Sequence, residues 1–244
     1  MEIVPIPCLR DNYAYLVLAG EGAYVVDPSE PGPVLAALDA RKRPLVGIFA
    51  THHHPDHVGG VDGLLGRWPG AFVAGHARDR GRIPRQTHFV DAPRDRYVPT
   101  GLHVDGIEVL ALHIPGHTLG AIAWYLPPDD HRPGDVFTGD TLFAAGCGRL
   151  FEGTPEMMFT SLRTLCNLPD ETRLWFGHEY TAANLAFAAT VEPDNPAIAE
   201  RRAHLPSCTT PTTVALERAT NPFLRAENPE VLARIRAAKD AFRG

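Results

Sequence analysis

Short apolar runs separated by turn residues dominate roughly the first 175 residues, and their lengths predict a strand-rich region. Strands are predicted at residues 3–7, 13–19, 23–26, 45–50, 71–74, 107–114, 121–126, 136–138 and 174–176. The intervening pattern predicts helices at residues 31–41, 58–68 and 155–168. This mixture of strands and helices indicates a layered α/β architecture, with sheet inside and helices outside.

After His178 the strand pattern nearly vanishes and a helical pattern replaces it. Helices are predicted at residues 182–190, 196–204 and 228–242, with proline-rich joints between them. We therefore expect a larger first domain over residues 1–178 and a small, mostly α-helical second domain over residues 179–244.

The last predicted helix combines an apolar stripe with two cations. Asn228 is a suitable N-cap, and Pro229 suits the first helical position. The stripe, which would dock the helix on the first domain, consists of Val231, Ile235, Ala238 and Phe242. Arg236 and Lys239 lie three residues apart on the flank of that stripe. Spacing alone slightly favours a solvated cationic face, because a helix C-terminus attracts cations in any case.

Composition narrows the class of protein. The 244 residues are 44% hydrophobic and carry a formal net charge of −6, which disfavours a general nucleic-acid binder. No stretch approaches the roughly 20 apolar residues that span a bilayer. The four cysteines form no CxxC pair, which argues against a thiolate zinc site. The N-terminus lacks a signal-peptide pattern, so we expect a cytoplasmic protein.

The candidate chemistry begins in the stretch Thr51-His52-His53-His54-Pro55-Asp56-His57, directly after an apolar strand. Side chains alternate along an extended chain, so His52 and His54 project to the same side and can bind one ion together. Asp56 and His57 lie where the chain turns into the next helix and can face a second ion.

Three later segments repeat one layout, in which an apolar strand ends in a glycine followed by a candidate ligand. These ligands are His117, Asp140 and His178. Imidazole and carboxylate groups suit zinc, iron or manganese. Seven such groups are too many for one tetrahedral ion and predict two ions that share a carboxylate. The other histidines, His53, His76 and His113 among them, are expected to be ordinary surface or core residues.

The histidine motif and the three later ligands resemble the metallo-β-lactamase superfamily, and the chain as a whole is similar to its glyoxalase II family. The family marks are Asp11-Asn12-Tyr13, Gly146-Cys147-Gly148-Arg149, Phe151-Glu152-Gly153, Gly177-His178-Glu179-Tyr180-Thr181 and Asn221-Pro222-Phe223. The resemblance implies an αββα sandwich with a binuclear site. The first ion would bind His52, His54 and His117. The second would bind Asp56, His57 and His178, with Asp140 bridging the two.

The resemblance also implies a substrate, the small-molecule thioester S-D-lactoylglutathione, which is hydrolysed to D-lactate and glutathione in methylglyoxal detoxification. The residues that hold glutathione in this family fall here on Arg149, Tyr180, Arg236 and Lys239. This shifts the interpretation of the two helix cations towards substrate binding. Phe151 stands where eukaryotic relatives commonly have tyrosine, so we expect an altered affinity and the same reaction.

A thioester carbonyl needs a nucleophile and charge stabilisation more than a strong acid. Two ions can hold a bridging hydroxide at neutral pH, because the pKa of such a water falls towards ~7. Asp56 and Asp140 are therefore the expected catalytic residues, acting mainly as ligands. Cys147 is a disfavoured nucleophile, since no general base accompanies it in the sequence.

Other functions stay open at this point. A glutathione-persulfide dioxygenase with one iron, or another hydrolase of the same fold, would share the histidine motif. His178 and the helical tail argue against the dioxygenase. A metal-stabilised binding protein without catalysis is a further alternative. For the preferred function we expect a monomer with two divalent ions, most simply zinc, and no nucleic-acid or membrane partner.

Overall fold

The computed structural model describes residues 1–243. Its first sheet contains β1 (Glu2–Cys8), β2 (Asn12–Ala19), β3 (Gly22–Val26), β4 (Leu45–Phe49), β5 (Phe72–His76) and β6 (His88–Val90), in that spatial order. The first three strands pair antiparallel, and the pairs from β3 to β6 are parallel. The strands predicted in this part of the chain are confirmed, except that β6 was not predicted.

A second sheet faces the first. The chain continues through β7 (Val98–Val104), β8 (Ile107–His113), β9 (Ile122–Leu126), β10 (Asp135–Gly139), the small hairpin β11 (Leu142–Phe143) and β12 (Gly146–Cys147), then β13 (Arg173–Phe176) and β14 (Thr212–Thr213). The spatial order is β14-β13-β10-β9-β8-β7, and only the β10–β13 pair is parallel. The tail after His178 therefore adds a short strand to this sheet, where the sequence predicted helices alone.

Helices cover the outer faces of both sheets. They are α1 (Pro31–Arg41), α2 (Pro55–Val58), α3 (Val61–Arg67), α4 (Pro155–Leu165), α5 (Thr181–Val191), α6 (Pro196–Ala203), α7 (Val214–Thr220) and α8 (Pro229–Ala241). Among the described residues, no helix is long and apolar enough to cross a membrane.

Three apolar layers hold this arrangement together, because each sheet buries both of its faces. Between the sheets, Tyr15 and Phe49 pack with Trp124 and Phe137. Outside the first sheet, side chains of α1 and α3 pack on its strands. Outside the second sheet, α4, α5, α7 and α8 form the third layer. The αββα sandwich implied by the resemblance is confirmed.

The helix predicted at residues 58–68 is wrong in one respect, because it is divided at Gly59 and Gly60 into α2 and α3. A Cβ at Gly59 would lie 2.6 Å from the carbonyl oxygen of Ser29, and one at Gly60 would lie 2.8 Å from that of Pro28. The two glycines therefore let the loop after β3 pack against the start of α3, next to the histidine motif.

The apolar stripe predicted on α8 also needs correction. Asn228 caps the helix as expected, since its side chain accepts a hydrogen bond from the Val231 N–H. Three members of the stripe pack against the core as predicted, namely Val231, Ile235 and Phe242. Ala238, however, is exposed, and the fully buried positions of α8 are Leu232 and Arg236. The helix thus turns a guanidinium towards the β11–β12 hairpin, and the cation lies on the packed face rather than on its flank.

Candidate metal centre

The predicted ligands converge at one edge of the sandwich, where four strands end. The histidine motif follows β4, and its last part forms α2, which begins at Pro55. Asp140 directly follows β10, and His178 lies two residues after β13. His117 lies on the loop after β8. Rigid strands therefore position ligands that are up to about 120 residues apart in the chain.

Three histidines form the first group. The Nε2 atoms of His52 and His117 each lie 3.1 Å from Nδ1 of His54. Three imidazole nitrogens converging at such distances can bind one ion together.

Asp56, His57 and His178 form the second group. The Oδ2 atom of Asp56 lies 3.4 Å from Nε2 of His178 and 3.8 Å from Nε2 of His57. A carboxylate with two imidazoles is also a suitable ligand set for a divalent ion.

Asp140 lies between the two groups. Its Oδ1 atom is 3.2 Å from Nε2 of His57, and its Oδ2 atom is 3.4 Å from Nε2 of His117 and 3.3 Å from Nε2 of His178. Both Oδ1 of Asp140 and Nε2 of His57 are buried without a hydrogen-bond partner. Such atoms are costly to bury unless something else satisfies them. Their position and chemistry fit divalent metal ions.

Close packing around Asp140 explains one of the glycines that precede the ligands. A Cβ at Gly177 would lie 2.3 Å from Oδ1 of Asp140 and 2.7 Å from Cε1 of His57. Any larger residue would push the Asp140 carboxylate out of place. The glycine before His178 is therefore a requirement of the site itself.

Buried hydrogen bonds orient the ligand rings from behind. Oδ2 of Asp27 lies 2.9 Å from Nδ1 of His57, and Oδ1 of Asp11 lies 2.8 Å from Nδ1 of His178. The carbonyl oxygen of Arg149 lies 2.9 Å from Nδ1 of His117. Each contact leaves Nε2 free for an ion, as is usual for metal-binding histidines.

Sequence reasoning missed Asp27 altogether and named Asp11 only as a family mark. The one sign of Asp27 was its position, because it follows a strand as Asp140 does.

The two groups differ in their electrostatics. Burial lowers the pKa values of His52, His54 and His117, so these imidazoles are neutral near pH 7. Burial also opposes a charge on His178, but Asp140 and Asp56 outweigh it and raise the pKa of His178 to about 10. The second group therefore attracts positive charge more strongly than the first.

A cleft of about 480 Å³ leads from the metal centre to α8. It is lined by all five predicted substrate-binding residues, which are Arg149, Phe151, Tyr180, Arg236 and Lys239. Asp240 and Arg243, which sequence reasoning did not name, also line it. A ligand in the cleft would therefore meet the candidate ions at one end and several cations at the other.

The side chains nearest the metal centre are aromatic. The ring of Tyr180 stacks on that of His178, with centroids 4.9 Å apart. Phe151 is exposed, and its ring lies edge-on to His54 and His117 at 5.7 Å and 5.2 Å. These rings form apolar walls beside the ligands.

The cations at the far end are only partly free. Arg236 is buried and donates from Nη1 to the Cys147 carbonyl oxygen (2.6 Å) and from Nη2 to Oδ1 of Asp240 (3.0 Å). Lys239 donates to the carbonyl oxygen of Ala183 (3.0 Å), and its pKa falls to about 8 because of burial and the nearby Arg236. Arg149 also pairs with Asp240, at 3.5 Å from Nε to Oδ1, but it is exposed and is therefore the most accessible cation of the three.

Cys147 lines the same cleft, but its environment does not activate it. Burial raises the pKa of its thiol to about 11, although Arg236 partly opposes that rise. A protonated thiol is a poor nucleophile. The structure thus agrees with the expectation that Cys147 does not attack the substrate.

Two family models match the chain. Residues 9–178 match the metallo-beta-lactamase superfamily, and residues 179–243 match the hydroxyacylglutathione hydrolase C-terminus. Two curated relatives carry the name hydroxyacylglutathione hydrolase. The one from Cyanothece sp. is 46% identical, with 99% of this chain and all of the relative covered. The one from Thermosynechococcus vestitus is 49% identical over 93% of this chain and 89% of its own length.

A solved structure, described as TTHA1623 in a di-iron-bound form, also resembles this fold. It superposes with a TM-score of 0.61 and 32% sequence identity, with 92% of this chain and all of the other chain covered. The similarity therefore extends over both the sandwich and the helical tail.

Proposed function

The chain belongs to the hydroxyacylglutathione hydrolase family of the metallo-β-lactamase superfamily, and from this premise we propose that it hydrolyses S-D-lactoylglutathione to D-lactate and glutathione. The observation that carries the proposal is the single cleft that joins the histidine–aspartate cluster to the cations of α8. Such a cleft suits an anionic peptide bearing a thioester at one end.

The metal centre is proposed to hold two divalent ions. His52, His54 and His117 would hold the first, Asp56, His57 and His178 the second, and Asp140 would touch both. When bound, such ions lower the pKa of a coordinated water to about 7 and stabilise negative charge that develops on a carbonyl oxygen. We propose zinc as the resident metal, because imidazole-rich sites suit it. Iron is the main alternative, since the related TTHA1623 was solved in a di-iron-bound form.

The residues of this chain then orient and bind. Asp27, Asp11 and the carbonyl oxygen of Arg149 accept hydrogen bonds from the ligand rings, which fixes Nε2 of each ring towards the centre. Asp56 keeps a partly exposed carboxylate at the cleft, and hydrogen bonding from His178 holds the pKa of that carboxyl group far below its usual range, so it stays charged and would act as a ligand. Cys147 stays protonated and does not take part.

The glutathione part of the substrate is proposed to extend along the cleft. The exposed guanidinium of Arg149 can bind a carboxylate through two parallel hydrogen bonds. Lys239 would add a second positive charge, and Tyr180 would flank the cysteinyl segment. Because Arg236 is buried and already bonded to Cys147 and Asp240, we assign it mainly to holding α8 against the β11–β12 hairpin.

The same structure supports the remaining expectations to different degrees. All four cysteines are unpaired, as expected for a protein kept in the reducing cytoplasm. The assembled second ligand group disfavours the one-iron dioxygenase, which would not need it.

Turnover of S-D-lactoylglutathione, measured together with metal content on the same sample, tests the proposal. We expect fast hydrolysis and about two ions per chain. Two ions without hydrolysis would redirect the search to other thioesters and lactones. One iron with oxygen consumption on glutathione persulfide would overturn the proposal in favour of the dioxygenase.

A further inference from the structure

A second polar cluster lies behind the first ligand group, formed by His53, Asp79, Arg82 and Glu152. We call it the bracing cluster. His53 comes from the middle of the histidine motif, between the predicted ligands His52 and His54, and was expected to be an ordinary residue. Its two ring nitrogens face members of this cluster, because alternate side chains of an extended segment point in opposite directions.

Asp79 is the buried end of the cluster. It closes the short 3₁₀-helix Ala77–Asp79, is fully inaccessible to solvent, and neither of its carboxylate oxygens has a hydrogen-bond partner among residues 1–243. Its closest polar contact from a titratable side chain is Nδ1 of His53, 3.2 Å from Oδ1. Burial raises the pKa of this carboxyl group to about 6, while Arg82 opposes the rise. Burying a carboxyl group without hydrogen-bond partners costs free energy, which makes Asp79 a candidate for a specific role.

Arg82 contacts Glu152 and His53, and it also lies near Asp79. Its Nη2 atom donates to Nε2 of His53 and to Oε1 of Glu152, the latter at 2.5 Å. Because Nε2 of His53 accepts this bond, the proton of the neutral ring is on Nδ1, which lies beside Oδ1 of Asp79 without forming a hydrogen bond to it. The arrangement therefore fixes the His53 ring from both sides.

Glu152 extends the cluster to the loop of the third ligand. Its Oε2 atom accepts a hydrogen bond from the backbone N–H of Leu119 at 2.8 Å, two residues beyond His117. The backbone N–H groups of Phe151 and Glu152 donate in turn to the carbonyl oxygen of His117. The cluster thus ties together the two loops that carry His52, His54 and His117.

The second ligand group has a separate set of supports. His57 contacts Asp27, His178 contacts Asp11, and Asp56 accepts a hydrogen bond from Asn12. None of these contacts involves the bracing cluster. Any loss of the cluster should therefore affect one group of ligands and spare the other.

We propose that Glu152 and Asp79 are positioning residues that set the affinity of the His52–His54–His117 group for its ion. They act through His53 and Leu119 and touch neither the ion nor the substrate. The inference rests on the two-ion centre proposed above. It assigns a role to Glu152 of the Phe151-Glu152-Gly153 motif, a residue that the proposed reaction leaves without one.

The test measures the affinity of each site for zinc separately, by competition with a chelator and by anomalous scattering from crystals at limiting zinc. For Glu152→Ala and Asp79→Asn we expect a 10- to 100-fold weaker first site and a second site unchanged within about twofold. Glu152→Gln keeps an acceptor for Leu119 and Arg82, so it should lose less affinity than Glu152→Ala, and it also serves if the alanine variant does not fold.

Matched controls are Glu156→Ala and Asp62→Asn, which change exposed acids outside the cluster. Equal weakening of both sites, or a lower unfolding temperature of the metal-free protein without a selective change, would show a general structural role and overturn the inference. Unchanged affinities would overturn it too. If the unmodified protein bound no zinc at all, the proposed two-ion centre would fail instead.

Discussion

Nδ1 of His57 lies 2.9 Å from Oδ2 of Asp27, and both side chains are fully enclosed by the protein. The same carboxylate accepts hydrogen bonds from the backbone N–H and the hydroxyl group of Thr51, at 2.7 Å and 2.6 Å. Asp27 therefore links the loop after β3 to both ends of the histidine motif. It fixes the ring of His57 so that Nε2 faces Asp140.

Asp27→Ala should weaken binding at the second ion site by 10- to 100-fold, because the ring of His57 loses the bond that orients it. Zinc affinity, measured by chelator competition, checks this expectation. Asp39→Ala, a change at an exposed acid, is the control. Wild-type affinity at both sites in the Asp27 variant would show that His57 is oriented without it.

Asp140→Ala should remove most of the bound metal and nearly all turnover, because one carboxylate contacts ligands of both groups. Metal content per chain after dialysis, determined beside the rate of thioester hydrolysis, tests this. The matched variant Asp130→Ala lies in an exposed turn and should retain both properties. Full metal content in the Asp140→Ala variant would contradict the assignment of Asp140 as the bridging ligand.

The clustering of the seven candidate ligands could be predicted because their sequence signals are local. The spacing of His52, His54, Asp56 and His57 is unusual in itself, and each remaining ligand follows a strand and a glycine. Asp27 follows a strand but no glycine, and Asp79 has neither feature, so each resembles the acid beside a turn that is typical of any solvated loop. Their burial arises only when distant segments pack together, so it is a property of the tertiary structure.

The missed strand β7 and the misread stripe of α8 have physical reasons as well. β7 is the outer strand of its sheet, contains Pro99 and Gly101, and shifts register between Pro99 and His103. Edge strands tolerate proline and glycine, but these residues interrupt the apolar pattern from which strands are predicted. In α8, a hydrophobic pattern cannot anticipate that Arg236 is buried, because its guanidinium bonds to a carbonyl oxygen of another element.

Lys239 predicts a pH dependence of substrate binding. Its pKa of about 8 means that its charge is present at pH 7 and largely lost by pH 9. We expect KM for S-D-lactoylglutathione to rise by up to about tenfold over that interval, since the neutral amine no longer attracts a carboxylate. Lys239→Arg should flatten the rise, because arginine stays charged. Lys42→Arg, on the surface, is the control. If KM rose equally in the Lys239→Arg variant, the pH dependence of KM would come from a group other than Lys239.

Phe151→Tyr should lower KM by about fivefold while leaving metal content unchanged. The ring already lies beside the first ligand group at the mouth of the cleft, and a phenol there would offer the bound peptide a hydrogen bond worth about 1 kcal/mol. Phe89→Tyr, whose ring packs under Arg80, serves as the control. An unchanged or higher KM would mean that the peptide does not pass Phe151.

Two histidines outside the metal centre should make the fold sensitive to acid. The rings of His76 and His113 are buried and stacked, with centroids 4.2 Å apart. Burial, together with the neighbouring His113, lowers the pKa of His76 to about 4. The charged groups around the pair are Arg78, Asp91 and Arg94.

An unfolded histidine titrates near pH ~6.5, so below that pH the unfolded chain binds a proton that the native His76 does not. Stability from this residue is therefore complete above pH 6.5 and decreases as the pH falls towards 4. By pH 5 the loss amounts to about 2 kcal/mol. His76→Asn removes the titrating group and keeps an acceptor for the Arg78 N–H, so its free energy of unfolding should fall less between pH 7.5 and 5. Urea unfolding of metal-free protein at both pH values measures the difference, with the exposed His131→Asn as control. If wild type and the His76 variant lost equal stability over this interval, the acid sensitivity would come from other groups.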